Sequence, residues 1–271
     1  MTNRQRVVVL VMAVLCTGAA RGQTPISAAA LMEKIRAQRH AADFRAEGRL
    51  VRAAGHGPRK TYRFSWKAKG FQGTLKALFV VTDPSPDRLG ILIDAPDLGR
   101  ATIRIARPGD AGAMELATER WGEPLLDTAL TCEDLADSHY GWSSHALVGE
   151  KPLGSRMCYV VRSQPTPGES SGYSSVTSWI GRDSVLPVYV EKILKRSGAT
   201  KRFIYSGIHR SKDTWGARQV EIRLDGVAEP TYLVLTSGTG NANLTLDDFD
   251  PGVLAGRRGA GKGGWPWAGL R

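Results

Sequence analysis

Apolar and polar residues alternate along most of this chain. Between 60 and 69, Tyr62, Phe64 and Trp66 alternate with Arg63, Ser65 and Lys67. A period of two puts the three aromatics on one face of a strand and the charged groups on the other. The same pattern predicts strands over 44–53 and 74–82, around Leu89, Ile91 and Ile93, and around Ile103 and Ile105. Further strands are predicted over 144–150, 157–163, 174–180, 186–195, 201–207, 217–224 and 231–236. Pro165, Pro167, Gly168 and Gly172 break the chain after the first strand of the 157–195 stretch, and Gly181-Arg182-Asp183-Ser184 after the second. Such breaks turn three strands into a meander. The fold class predicted is mainly β (α+β), a single antiparallel sheet. With about ten strands, it must curl.

Two stretches leave this pattern. Residues 26–40 carry Leu31, Ile35 and Ala28 to Ala30 on one side and Glu33, Lys34, Arg36, Gln38 and Arg39 on the other, an amphipathic helix suited to lie on a sheet. It could serve as a plain cover or as a lid. Over 115–142, Leu125, Leu126, Leu130 and Leu135 have near-helical spacing, and Thr131 stands where a helix cap would, before Cys132-Glu133-Asp134. One or two short helices are expected there. Glu133 and Asp134 read as helix-terminal charges, because adjacent helical carboxylates point to different sides. Ser237-Gly238-Thr239-Gly240-Asn241 reads as a turn or a bulged strand.

Composition narrows the function. The chain has 271 residues, 42% of them hydrophobic, and a formal net charge of +11. Its Lys and Arg are spread throughout, which argues against a nucleic-acid footprint. Residues 1–22 have a basic start at Arg4 and Arg6, an apolar run from 7 to 15 and Ala20-Arg21-Gly22 as a cleavage site. They predict a cleavable export signal. Lipid attachment at Cys16 would need a small residue at 15, where Leu15 stands. In an exported chain, Cys132 and Cys158 are a possible disulfide, with two buried thiols as the alternative. The tail over 255–271 is Gly-rich and basic and is expected to be disordered. Its 256–262 stretch imitates a phosphate-binding loop, but Gly263 stands where Ser or Thr should follow.

Catalytic signals are sparse. His40, His56, His139, His145 and His209 show no metal-ligand spacing, and no G-x-S-x-G elbow occurs. No metal, cofactor or enzymatic activity is expected. What remains is a sheet with a large apolar face, suited either to an apolar ligand or to closing over its own helices.

The order of several short motifs is informative. Thr131-Cys132-Glu133-Asp134-Leu135 is followed by Gly149-Glu150, Gly154, Cys158-Tyr159-Val160-Val161, Tyr173-Ser174-Ser175-Val176, Trp179-Ile180, Leu186-Pro187 and Phe249-Asp250-Pro251. This series resembles the outer-membrane lipoprotein-sorting protein family of LolA/LolB-like fold, over roughly 76–254. Arg162 departs from the family's acid after Y-V-V, and Gly181-Arg182 from its Asp after W-I.

The resemblance implies a half-open β-barrel over 23–254, covered by a few helices. It implies a periplasmic carrier whose hydrophobic cavity shields acyl chains of a lipoprotein or lipid cargo. An inner-membrane transporter or an outer-membrane acceptor would be its partner. An envelope-stress sensing module acting on a membrane protein is the alternative, and a hydrolase of envelope lipids or glycans a third. Strict alternation nominates Tyr62, Phe64, Trp66, Ile91, Ile93, Ile103 and Ile105 as cavity lining, and a one-residue slip in any strand would turn its set outward.

Overall fold

The computed structural model describes residues 26–53, 58–84, 87–211 and 214–254. The expected signal over 1–22, the tail over 255–271 and the turn at 55–57 lie outside them. Helix α1 (Ala28–His40) begins where the Ser27 side chain accepts a hydrogen bond from the Ala30 amide. Five strands follow: β1 (Asp43–Arg52), β2 (Lys60–Phe71), β3 (Thr74–Asp83), β4 (Leu89–Pro96) and β5 (Thr102–Ala106). The short β6 (Met114–Glu115) leads into a mostly irregular strap over 116–142. It carries 3-10 turns at Thr118–Arg120 and Ser138–Gly141 and helix α2 (Cys132–Ala136).

The meander comes next, with β7 (Ser144–Leu153), β8 (Arg156–Gln164), β9 (Tyr173–Gly181), β10 (Pro187–Leu194) and β11 (Thr200–Ser206). A two-stranded ribbon, β12 (His209–Ser211) and β13 (Thr214–Gly216), interrupts the sheet before β14 (Gln219–Leu224) and β15 (Thr231–Gly240). A 3-10 turn at Leu246–Phe249 and helix α3 (Pro251–Leu254) end the described chain.

Among the described residues, thirteen strands form one sheet in the order β6-β5-β4-β3-β2-β1-β15-β14-β11-β10-β9-β8-β7. Neighbours pair antiparallel throughout, and β6 and β7 are its two free edges, so the barrel is half-open. The β15–β1 pairing joins the two halves. Its register shifts between Glu47 and Gly48, opposite Leu235 and Ser237, so the Gly-rich stretch from 237 is a bulged strand.

Register fixes which residues share a face. Leu50 lies opposite Tyr62 and Leu233, Phe79 opposite Trp66 and Ile91, and Phe203 opposite Val190 and Ile222. These belong to the inner face and form one apolar cluster with Leu116, Trp121, Leu125, Leu130, Cys132 and Trp142 of the strap. The outer face of β3 to β5 has its own cluster, where Leu78, Val80 and Leu92 are covered by Leu244, Phe249 and Leu254. Helix α1 buries Leu31, Met32 and Ile35 against Tyr140, Val161 and Ile180, packing over the inner side of the β8–β9 end of the sheet.

Candidate functional site

All seven alternation-nominated residues, Tyr62, Phe64, Trp66, Ile91, Ile93, Ile103 and Ile105, lie on the inner face. Ile91 faces Ile105 and Ile93 faces Ile103, while the Phe64 and Phe79 rings sit 4.7 Å apart. Tyr62, Phe64, Ile91, Ile93 and Ile103 are at most 2% exposed. They form the packed part of the inner face, with the strap in the same cluster; Trp66 and Ile105 keep partial exposure.

Other inner-face residues are also within reach of solvent. Tyr205, Val220, Leu235 and Phe44 are half-buried, on β11, β14, β15 and β1, the strands that follow one another toward β2. Tyr205 lies opposite Val220, Val220 opposite Leu233, and the Phe44 ring meets Trp66 edge-on at 5.7 Å. With Trp66 they make an apolar row across five strands. None of the five is charged; exposed Arg218, two residues before Val220 and accepting from the Leu235 amide through its carbonyl, stands at the edge of the row.

The charges of the inner face lie at the other end of the strands, under the strap. Lys192 of β10 and Lys201 of β11 are register partners, in phase with the inward Val190 and Phe203. The Asp134 carboxylate receives Lys201 Nζ at 2.6 Å, Lys192 Nζ at 3.1 Å and the Tyr173 hydroxyl at 2.7 Å. Lys192 also reaches Asp137 at 3.4 Å and lies 4.6 Å from the centre of the Phe203 ring. Burial alone would raise the Asp134 pKa, but the two ammonium groups and the Tyr173 hydroxyl outweigh it and hold the carboxyl well below its ordinary range. Burial would lower the Lys192 pKa, and Asp134 and Asp137 reverse this, so its ammonium is held above its ordinary value.

Local sequence puts Asp134 there. Thr131 caps α2, accepting from the Asp134 amide at 3.2 Å, and the Asp134 carboxylate accepts from the Thr131 amide at 3.1 Å in return. Glu133 turns elsewhere, accepting from the Ser171 hydroxyl and from the Gly172 amide at 3.0 Å. The helix-terminal reading therefore holds for Asp134, whereas Glu133, in the same first turn, directs its carboxylate to 171–172; Asp134 has a second task, fixing the strap to the meander. Buried ion pairs add little net stability, but removing one partner leaves a charge unpaired in an apolar setting, so they fix position.

A disulfide between Cys132 and Cys158 is not formed; both thiols are free and buried. Cys132 belongs to the inner-face cluster. Cys158 alternates with Tyr159 and Val161, which pack with α1, so it points to the opposite side of the sheet. Tying the strap to the meander falls instead to Asp134 and the lysines. Burial pushes the Cys132 thiol up to about 12 and raises that of Cys158 as well. Among the described residues, no group of three His, Cys, Asp or Glu side chains is placed to hold a metal.

Solved structures share this half-open antiparallel fold, a LolA superfamily protein among them. A domain described as an outer-membrane lipoprotein-sorting protein, from Vibrio parahaemolyticus, superposes with a TM-score of 0.74 at 17% identity, covering 83% of this chain and 97% of that one. A DUF1329 family protein from Desulfovibrio piger gives 0.74 at 15% identity, over 85% of this chain and 100% of that one. A LolA superfamily protein from Nitrosomonas europaea gives 0.63 at 18% identity, over 83% and 98%. No curated protein matches the chain in sequence. A family model described as "Uncharacterized protein" matches residues 112–254, more than half of the chain, and the chain belongs to that family. The matched region starts just before the strap and includes the meander, both lysines and Asp134.

Proposed function

We propose that this protein is a non-catalytic carrier of the cell envelope that holds an acyl chain of a lipoprotein or lipid against the inner face of its half-barrel. The observation that carries this reading is the row of uncharged side chains Phe44, Trp66, Tyr205, Val220 and Leu235, left partly exposed on the inner face beside its packed cluster. Each CH₂ transferred from water contributes about 0.8 kcal/mol, so a bound chain needs no reacting group to be held. The lysines nearest the interior are matched by Asp134 and Asp137, which leaves the interior suited to an uncharged tail. The name of the Vibrio parahaemolyticus domain, and the export signal expected at 1–22, favour the periplasm as the place of action. Unloading then requires a membrane, a transporter or an acceptor protein to compete for the tail, because the same burial slows release.

The test is titration with a fluorescent fatty acid. Saturable uptake by the wild-type protein, competed by unlabelled palmitate, is the expected result. Absence of uptake by folded protein overturns the reading.

A further inference from the structure

The two ends of the inner face are built differently. At one end the strap is tied to the sheet at three places. Lys60 Nζ of β2 meets Asp127 at 2.9 Å, the Ala129 amide donates to Thr231 Oγ1 of β15 at 2.9 Å, and Asp134 joins Lys192 and Lys201 of β10 and β11. Register shows that these anchors share one end of the strands. Lys60 lies opposite Arg52, Arg52 opposite Thr231, Thr231 opposite Ile222, and Lys201 opposite Leu224 and Lys192. Half-buried Leu126, Leu135, Leu194 and Leu224 mark where the strap meets the sheet.

At the opposite end lies the apolar row from Phe44 to Tyr205. Helix α1 borders this end. It packs on Val161 and Ile180 of the meander and on Tyr140 in the last turn of the strap, donates from Gln38 to the Ser184 carbonyl in the β9–β10 turn, and reaches β2, where the Gly70 amide donates to Ala42 just beyond the helix.

The anchoring chemistry decides which end moves. The Asp134 side chain is fully buried, and those of Lys192 and Lys201 are 3% and 2% exposed. Asp137, the other carboxylate on Lys192, belongs to the strap too, and so would leave with Asp134. Lifting the strap therefore strands two adjacent ammonium groups on an apolar face beside Tyr173 and Phe203. At the other end the ion pair of α1, His40 with Asp97, is partly open to solvent, and none of the row's own side chains is charged, so admitting a chain there strands no fully buried charge.

We infer that the anchored part of the strap, 125–137, is a fixed end wall and that an acyl chain enters tail first at the opposite end, between α1 and β14, β15 and β1, with its polar head left outside. This rests on the carrier reading and deepens it. Two experiments test it. The double variant Ala129→Cys with Thr231→Cys, oxidised, locks the strap to β15. Fluorescent palmitate and a triacylated lipopeptide are offered separately, to tell a free acid from a lipoprotein-type cargo. Uptake of at least one probe at wild-type affinity by the locked protein is expected, whereas Leu235→Glu weakens it at least about tenfold by placing a carboxylate in the entry row. Loss of uptake on oxidation, restored by reduction, overturns the inference while leaving the carrier reading in place. Should the double variant not fold, amide exchange of the wild-type protein decides. Unchanged protection at 125–135 on loading supports the wall, and faster exchange there overturns it. If the wild-type protein binds neither probe, the carrier reading fails and the inference with it.

Discussion

Asp134 concentrates the consequences of a single side chain. Asp134→Ala leaves Lys192 and Lys201 buried without their common partner, and about 3–5 kcal/mol of unfolding free energy is expected to be lost, read from urea midpoints. The pH dependence follows from the direction of each shift. The Asp134 carboxyl is held below its unfolded value, so its contribution is complete above about pH 4 and fades as acid protonates the folded carboxyl. The Lys192 ammonium is held above its unfolded value, so its contribution is complete below about pH 10 and fades in stronger base. The gap in stability between wild type and Asp134→Ala should therefore be widest between these limits and narrow outside them. The thiols make a separate prediction. Cys132 and Cys158 should resist alkylation in the folded protein and both react in urea, with no reductant needed, as peptide mapping would show. Part of this was legible in the sequence. Lys192 shares the phase of Val188 and Val190, and Lys201 that of Phe203 and Tyr205, so alternation alone puts two lysines on the apolar face. Their partner was not legible, because Asp134 comes from a segment 58 and 67 residues away.

Whole elements follow their local pattern where packing agrees with it. The alternating runs became strands in the expected places, and α1 fills Ala28–His40 within the 26–40 stretch. The segment over 115–142 announced its cap at Thr131, but its course across the sheet is set by tertiary partners: Lys60, Thr231 and the two lysines. The Gly-rich stretch after Thr236 continues as strand because β1 pairs with it as far as Gly240. The ribbon of β12 and β13 went unforeseen. The seat of α1 offers a direct test. A Cβ added at Gly70 would come within 2.3 Å of the His40 carbonyl oxygen and 2.6 Å of its Cα, both backbone atoms at the end of the helix. Gly70→Ala should therefore push the helix end from β2, costing about 1–3 kcal/mol and raising amide exchange at 35–42. An unchanged exchange pattern would show that the helix end has slack.

The molecule as a whole is an open sheet curled around an apolar interior. One end is walled by a strap held by buried charge, and the other is bordered by a helix and an uncharged row of aromatic and aliphatic side chains. The proposed role, temporary burial of an acyl tail, draws on the aromatic and aliphatic side chains of this second end. The measurement that bears most directly on this is native mass spectrometry of the protein purified gently from the cell envelope, with lipid analysis of whatever is released on activation. A mass increment that dissociates as an acyl-bearing species is the predicted result, and it would name the cargo. A bare polypeptide mass that takes up neither palmitate nor a triacylated lipopeptide on addition would contradict the account.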